Sequence, residues 1–249
     1  GKQSYRCLNC GHIFGNKRRK KRSLKKYWIE FTSLKQTINQ IGKRYCKSAR
    51  TISRYIRRYN SICNAQKPGI TNVITDTTYF KRNDGLLAVY SVEMKKVIYL
   101  KFIKRENRRE YYSALKKLVD EGWIILSATC DIKRGIKDAI EDNDIPVQYC
   151  NFHQKQILRI CLTHRSKSES RNKLIAIVKQ LGHVGSLTIQ NDLDKWYSLY
   201  SYELTMDRNL KRSYRSIRNN MYYLFTWERL TGLGIPKTTN ALESTFGHM

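Results

Sequence analysis

Residues 70–80, ITNVITDTTYF, place one carboxylate in the middle of an apolar, β-branched run. Valine, isoleucine, threonine and aromatic residues at this density predict a β-strand. Asp76 falls inside the predicted strand, whose pattern continues beyond it through Thr77 and Tyr79. A charge in an apolar strand is costly to bury unless it is paired or bound to a metal. The stretch therefore predicts a central strand that carries a functional carboxylate.

Two further strand-like runs and one helix follow the first strand. Residues 85–93 and 96–103 are rich in β-branched and aromatic side chains, so the three runs predict a meander. Residues 107–122 predict a helix with Asn107 as its N-cap and Gly122 at its end.

The next segments place a second carboxylate at the end of a strand. WIILSATCD, residues 123–131, is typical of a buried strand in a parallel sheet and ends on Asp131. A short helix over residues 134–142 and a short strand over residues 146–150 complete a β-β-β-α-β-α-β order. Asp131 alone could also cap the following helix. Together with Asp76, however, it predicts two carboxylates on adjacent strands of a mixed α/β sheet, a spacing that can hold divalent metals.

The charge of the chain indicates a polyanionic partner. Lys and Arg outnumber Asp and Glu by 48 to 20, the net charge is +28, and the isoelectric point is about 10.0. Residues 1–60 hold 18 of the cations and a single acid, Glu30. Nucleic acid is the usual partner of such a chain, and a membrane surface is the weaker alternative. No apolar run is long enough to span a membrane, and seven cysteines, an odd number, favour a reducing compartment, which predicts a cytoplasmic, nucleoid-associated protein.

The first residues contain half of a metal-binding pattern. Cys7 and Cys10 form a Cys-x2-Cys knuckle followed by Gly11. A structural zinc site needs four ligands, so the pair predicts half of a zinc ribbon whose other ligands lie before Gly1, or else two free thiols. The run KRRKKR, residues 17–22, predicts a solvated basic linker that contacts DNA phosphates through four residues. These are Lys17, Arg18, Arg19 and Lys20.

Residues 33–59 predict a helix-turn-helix. Leu34, Ile38, Ile41 and Tyr45 recur at helical spacing, and Ser48 offers the N-cap of a second helix. The second helix is apolar along one face and basic along the other, as in a recognition helix, although an ordinary amphipathic helix with a solvated basic face has the same pattern. The predicted DNA-contacting residues of this face are Arg50, Ser53, Arg54 and Arg57.

Three segments, TDTTYF, CDIKRGIKDAI…PVQYCNFHQKQ and IPKTTNALES, together resemble Mutator-like bacterial insertion-sequence transposases. The resemblance is to the variant with an N-terminal zinc ribbon, and it spans nearly the whole chain. It implies the ribonuclease H-like fold of DDE transposases, with Asp76, Asp131 and Glu243 as a catalytic triad that binds metal. It also implies that Cys150 and His153 form the Cys-x2-His element that follows the second aspartate in this group.

The resemblance further implies a function and its partners. The expected activity is Mg²⁺- or Mn²⁺-dependent DNA cleavage and strand transfer at the ends of a mobile element. Double-stranded DNA, both terminal inverted repeats and target, would be bound by a homodimer. Glu243 is expected on a helix packed under the sheet. The implied divisions are residues 1–22 (partial zinc ribbon and linker), 23–68 (helix-turn-helix) and 69–249 (catalytic domain, with a helical insertion at about 165–232).

Several alternatives remain open from the sequence. Cys150 and His153 either orient the active site or touch DNA, or they are a buried thiol and a satisfied histidine. A zinc site formed with Cys161 and His164 is a third, less favoured interpretation. The whole chain could instead be a non-catalytic DNA-binding regulator, or a nuclease that cuts without joining strands. Met249 follows Glu243 by six residues, so both ends of the chain are expected to be trimmed.

Overall fold

The protein consists of two compact units, Gly1–Tyr59 and Asn60–His248. Each unit forms its own elements, and the second contains the only sheet with more than two strands in the part of the chain that is described. The computed structural model describes residues 4–15, 24–32, 34, 36–58, 67–81, 84–163 and 168–247.

The first unit contains a small hairpin and three helices. Strands β1 (Ser4–Arg6) and β2 (Ile13–Gly15) pair in antiparallel fashion. Helices α1 (Lys25–Thr32), α2 (Ile38–Arg44) and α3 (Ala49–Arg58) follow. The sequence pattern predicted the last two helices, whereas α1 was not predicted. The basic residues predicted to contact DNA from the linker, at positions 17–20, lie outside the described residues.

Helix α2 begins later than the apolar spacing suggests. Thr37 and Gln40 form a reciprocal capping box, in which the Gln40 amide donates to the Thr37 hydroxyl at 3.2 Å. A capping box fixes the start of a helix because it satisfies amide donors that the helix itself leaves free. Leu34 therefore lies outside the helix and is 57% exposed, so its inclusion in the helical stripe was wrong. Ser48 caps α3 as predicted, accepting from the amide of Thr51 at 3.2 Å.

Aromatic rings and one buried carboxylate hold the three helices together. Tyr27 of α1 is buried, with its ring centroid 4.9 Å from that of Tyr45 and 5.2 Å from that of Tyr55. Glu30, also buried, accepts a hydrogen bond from the Tyr45 hydroxyl and lies 3.4 Å from the guanidinium of Arg44. This polar contact raises the pKa of Tyr45, because the carboxylate stabilises the protonated phenol.

Gly42 allows the tight turn between α2 and α3. A Cβ at this position would come 2.7 Å from the carbonyl oxygen of Lys47. That distance is shorter than real Cβ contacts and the obstacle is backbone, so a larger residue would push the two helices apart.

The second unit is built on a five-stranded mixed sheet. Strands β3 (Ile70–Lys81), β4 (Asp84–Ser91) and β5 (Lys96–Ile103) form an antiparallel meander. Strands β6 (Ile124–Cys130) and β7 (Val147–Tyr149) then pair in parallel, giving the order β5-β4-β3-β6-β7. The strands, their order along the chain and the mixed α/β class were predicted from the sequence, and the structure confirms them.

Two helices connect the parallel strands across the sheet. Helix α4 (Arg108–Asp120) begins at Asn107, whose side chain accepts from the Glu110 amide at 3.0 Å, as predicted. Helix α5 (Arg134–Glu141) leads from β6 to β7. Both helices bury apolar side chains against one face of the sheet in a single large core. Tyr111, Leu115 and Leu118 of α4 are fully buried, whereas Val119 is 39% exposed.

The remainder of the second unit is helical. Helix α6 (Asn151–Thr163) starts directly after β7, and the last helix, α12 (Asn240–Gly247), packs on β3. None of the helices within the described ranges is long and apolar enough to cross a membrane. Between α6 and α12 lie α7 (Glu169–Lys179), α8 (Ser186–Tyr200), α9 (Glu203–Met206), α10 (Arg208–Leu224) and α11 (Thr226–Arg229).

Hydrogen bonds tie the end of α10 to strand β7. The side-chain amide of Gln148 donates to the Leu224 carbonyl at 3.0 Å, and its oxygen accepts from the Trp227 amide at 2.9 Å. The Thr226 hydroxyl donates to the Val147 carbonyl at 2.6 Å. These contacts fix the end of the helix relative to the sheet. Because Gln148 is fully buried, water cannot replace a hydrogen bond that is lost there, and the loss would cost free energy of folding.

A buried asparagine fixes the start of the central strand. The Asn72 side-chain nitrogen donates to Glu93 at 2.8 Å and to the Leu233 carbonyl at 2.7 Å, and its oxygen accepts from the Ser127 hydroxyl at 2.7 Å. Asn72 thus joins β3, β6, the β4–β5 turn and the segment before α12. Both N–H donors and the oxygen of this fully buried amide are hydrogen-bonded.

We expect Asn72→Ala to lower the free energy of unfolding by about 2–4 kcal/mol, because it leaves the buried Ser127 hydroxyl and the Leu233 carbonyl without their partner. Urea denaturation followed by far-UV circular dichroism measures the change. The control Asn219→Ala, at an exposed position on α10, should change it by less than about 0.5 kcal/mol. Equal effects of the two substitutions would contradict this role.

Candidate active site

The central parallel strand pair brings two aspartates to one end of the sheet. The last residues paired between β3 and β6 are Ile74 and Thr129. Asp76 and Asp131 each lie two residues beyond this pair, and so occupy matching positions on neighbouring strands. Neighbouring strands are about 4.8 Å apart, and residues two apart share a face. The two carboxylates therefore lie side by side at the carboxyl end of the parallel pair.

Asp76 is held in a place that disfavours its charge. Burial raises the pKa of Asp76 to about 6, and the carboxylates of Asp131 and Glu106 push it in the same direction. The Thr77 amide, which donates to the Asp76 carboxylate at 2.7 Å, and the nearby His153 oppose the rise. A carboxylate whose charged form is disfavoured in this way attracts a nearby cation strongly.

Asp131 forms an ion pair with a lysine that was not predicted from the sequence as part of the site. The Lys133 ammonium lies 3.3 Å from one oxygen of Asp131 and 2.7 Å from Glu106. Glu106 also accepts a hydrogen bond of 2.6 Å from the buried Tyr111 hydroxyl. The ion pairs raise the pKa of Lys133 although burial opposes them. Lys133 is therefore a protein cation built into the carboxylate cluster.

Glu243 approaches the same site from helix α12. Leu242 is fully buried against Ile74 of β3 and Ala88 of β4, and this packing fixes the helix on the sheet. The Thr239 hydroxyl, just before the helix, donates to the Glu243 carboxylate at 2.5 Å. The helix predicted to carry Glu243 under the sheet is therefore present, with its start at Asn240.

His153 stands between Asp131 and Glu243. One imidazole nitrogen, Nδ1, is 3.8 Å from Asp131, and the other, Nε2, is 3.9 Å from Glu243. A hydrogen bond with Cys150 raises the pKa of His153 to about 9; burial opposes the shift, and Asp131 and Asp76 add to it. The raised pKa favours the imidazolium form of this ring, which faces two carboxylates at once.

Cys150 connects this histidine to the segment before α12. Its buried thiol is 3.4 Å from the Thr239 hydroxyl and accepts from the Thr239 amide at 3.4 Å. Burial alone would raise the pKa of Cys150, but hydrogen bonds from His153 and Thr239 lower it. Of the two interpretations left open by the sequence, this geometry favours orientation of the carboxylate cluster over an isolated buried pair.

The side chains of the cluster have the right chemistry to bind a divalent metal ion, but their arrangement suits such a site only in part. Carboxylate oxygens are the ligands that Mg²⁺ prefers. Asp76 and Asp131 lie side by side, whereas His153 separates Asp131 from Glu243. Across the described residues, no group of three His, Cys, Asp or Glu side chains is arranged to hold a metal ion. The buried Nδ1 of His153 also has no hydrogen-bond partner there. Joint use of all three carboxylates requires the imidazole to move.

The Cys-x2-Cys knuckle adopts a turn suited to half of a metal site. The Cys7 amide donates to the His12 carbonyl at 2.8 Å, and the Gly11 amide donates to the Cys7 carbonyl at 2.9 Å. Gly11 has φ +71°, a conformation that glycine accepts without strain. Hydrogen bonds from the backbone and side chain of Cys10 lower the pKa of Cys7, as does the amide of Asn9. No third ligand joins the pair within the described residues.

The basic face of α3 is free to meet a ligand. Ile52 and Ile56 are buried, which turns Arg50 and Arg54 outward to exposed positions with the half-exposed Ser53 between them. The Arg57 side chain lies outside the part of the chain that is described, although its backbone continues the helix. The apolar and basic faces of this helix are therefore divided as the sequence predicted.

The chain matches no protein-family model and no curated protein. Among solved structures it is partly similar to the simian T-cell lymphotropic virus intasome in complex with PP2A regulatory subunit B56 gamma, with 14% identity and a TM-score of 0.28. It is also partly similar to the Drosophila P element transposase strand transfer complex, with 12% identity and a TM-score of 0.31. The overlaps cover 77% and 90% of this chain, and 65% and 62% of the other chains. Scores this low do not establish a shared fold.

The raised pKa of Asp76 predicts an unusual pH dependence of stability. A carboxyl whose pKa is higher in the folded state contributes stability below the pKa of the unfolded chain, near 4, and loses it as pH rises through about 6. In EDTA, Asp76→Asn should therefore be more stable than the wild type at pH 7 by up to about 3 kcal/mol, and the gain should vanish near pH 4.

Urea unfolding at pH 4 and pH 7 measures this difference. Asp144→Asn, which removes an exposed carboxylate, is the matched control and should give no gain at pH 7. If Asp76→Asn were less stable than the wild type at pH 7, Asp76 would not be a carboxylate whose charged form is disfavoured by burial.

Proposed function

We propose that this chain is a DDE-type DNA transposase that binds the ends of a mobile element, cuts DNA and joins the cut strand to a target. One observation carries the proposal. Asp76 and Asp131 lie at matching positions on adjacent parallel strands, and Glu243 faces Asp131 from α12 across a single imidazole. A structural ion pair needs one carboxylate, whereas this cluster contains three carboxylates, and a fourth, that of Glu106, lies beside them.

The topology of the second unit supports the proposal. Three antiparallel strands followed by two parallel strands, in the order β5-β4-β3-β6-β7, with helices as the crossovers, is the arrangement expected of a ribonuclease H-like domain. The long helical segment between α6 and α12 fits the insertion implied by the resemblance to Mutator-like transposases.

The chain's own residues prepare the site for phosphodiester chemistry. Asp76, Asp131 and Glu243 would hold Mg²⁺ or Mn²⁺, which when bound activates first a water and then a 3′-hydroxyl for in-line attack. Lys133 and His153 balance the negative charge of the cluster. The hydrogen bond from Thr239 holds the Glu243 carboxylate towards His153, so that it is oriented before a cation arrives.

The first unit would hold the DNA. The exposed face of α3, with Arg50, Ser53, Arg54 and Arg57, would enter the major groove, and the basic linker would track phosphates. Zn²⁺ would join Cys7 and Cys10 if further ligands are supplied from outside this segment. Two copies would act together, because two DNA ends have to be paired.

Asp131→Asn should abolish Mg²⁺-dependent nicking of supercoiled DNA, lowering the rate by more than about 100-fold, because it removes a charged ligand from the cluster. Its affinity for Mn²⁺, measured by calorimetry on the full chain, should fall in parallel. The matched control Asp120→Asn removes an exposed carboxylate of α4 and should leave both readouts unchanged.

A strand-transfer assay with pre-cleaved ends separates the proposal from its rivals. Joined products support a transposase. Metal-dependent nicking without any joining would indicate a nuclease, and DNA binding without Mn²⁺ affinity would indicate a non-catalytic regulator.

Arg50→Gln with Arg54→Gln should weaken the binding of duplex DNA about 10- to 100-fold, because two exposed cations are lost from one helix face. Electrophoretic mobility shifts measure this loss. The double variant Lys116→Gln with Lys117→Gln removes the same charge, but from lysines already paired with Asp120 and Glu121, and should bind as the wild type does. Equal losses in both variants would argue against α3 as the contact.

A further inference from the structure

A cleft of about 590 Å³ opens between helices α8 and α10, away from the carboxylate cluster. This volume lies within the range of ligand sites. Helix α10 carries five Lys or Arg residues and no carboxylate along its 17 residues. Three of these cations, Lys211, Arg215 and Arg218, line the cleft.

Two of the three cations lack an ion pair within the described part of the chain. Arg218 pairs with Asp194 of α8 at 3.0 Å. Lys211 and Arg215 form no ion pair with any residue that the structure describes, although they lie one helical turn apart and line the same cleft. An uncompensated pair of cations beside a concave surface attracts an anionic group, such as a phosphate.

An aromatic platform lies beside these cations. The rings of Trp196 and Tyr214 stack at 5.3 Å, and Tyr197 stacks on Tyr214 at 5.4 Å. Tyr214 is buried, whereas Tyr197 is 47% exposed and lines the cleft. A ring fixed by stacking and open to solvent is the surface on which single-stranded nucleic acids place their bases.

The cleft is also connected to the carboxylate cluster through α10. Asn220 of α10 donates to Gln154 at 2.8 Å, and Gln154 follows His153 directly on α6. With a rise of 1.5 Å per residue, Arg215 and Lys211 lie roughly 7 Å and 13 Å further along the helix. A strand held at the carboxylates can reach this cleft within a few nucleotides.

We propose that the α8–α10 cleft is a subsite for a single DNA strand, in which Lys211 and Arg215 hold a backbone phosphate and Tyr197 stacks on a base. The choice of DNA as the nucleic acid rests on the proposed function. The combination of free cations with an exposed stacked ring favours a nucleic-acid strand over an acidic peptide, which would use the cations and leave the ring without a partner.

The test uses the full chain and a fluorescein-labelled DNA duplex with a single-stranded overhang, with affinity measured by anisotropy at several salt concentrations in EDTA. Lys211→Gln with Arg215→Gln should reduce the slope of log affinity against log salt by about 0.7–0.9, the contribution of one lost phosphate contact. The matched control is Arg208→Gln with Arg212→Gln, which removes the same charge from exposed positions of the same helix outside the cleft, and should keep the slope.

A second variant probes the ring. Tyr197→Leu should weaken binding about 5- to 100-fold with the salt slope unchanged, Tyr197→Phe should restore it, and the exposed Tyr202→Leu should have no effect. Photo-crosslinking of an overhang that contains 5-iodouracil should attach to Tyr197, as identified by mass spectrometry.

Equal slopes for the two charge variants would overturn the subsite. It would also be overturned if Lys211→Gln with Arg215→Gln changed the sedimentation of the protein and left the slope intact, since the cleft would then join two copies of the chain. Because binding is measured without metal, failure of nicking would count against the proposed function alone, and unchanged slopes in a nicking-competent protein would count against the subsite alone.

Discussion

Electrostatic balance around Asp76 is the constraint on which the carboxylate cluster of the second unit depends. A carboxylate inside a strand that is apolar on both sides can stay charged only if positive charge stands near it. The imidazole of His153 on α6 and the backbone amide of Thr77 oppose the rise in the pKa of Asp76, while Lys133, in the segment after β6, pairs with the neighbouring Asp131. Helix α6, which follows β7, thus brings compensating charge to the central strand.

The same electrostatic balance leaves the charged groups of the site only partly compensated by their neighbours. Burial raises the pKa of Asp76, and His153 opposes that rise. The hydrogen bond with Cys150 raises the pKa of His153, and Asp131 and Asp76 add to that rise. The buried Nδ1 of His153 faces Asp131 at 3.8 Å, too far for a hydrogen bond. If the cluster binds a divalent cation as proposed, that cation would relieve this electrostatic stress, whereas a structural ion pair has none to relieve.

Local patterns predicted most of the sheet and much less of the site. Strands β3 to β7 and helices α4 and α5 follow from alternation, apolar runs and caps, which act over neighbouring residues. Helix α1 was missed because its burial depends on Tyr45, which follows α2, and on Tyr55 of α3. Lys133 was missed for a similar reason: its partner Glu106 is 27 residues away and on another element. The only indication in the sequence was the position of Lys133, two residues after Asp131.

Strand β7 is the last strand of the sheet on one side, and a bare strand edge invites pairing with another chain. Here the Val147 carbonyl is taken by Thr226, and the whole of β7 is buried beneath the end of α10. On the opposite side, β5 carries the exposed Lys96, whose charge discourages a neighbouring strand, whereas Lys101 is paired with Glu110 at 2.7 Å. In the described part of the chain, both borders of the sheet thus oppose pairing with a strand of another molecule. We therefore expect any contact between two copies of this chain to form through helices, without the risk of fusing into a continuous β-structure.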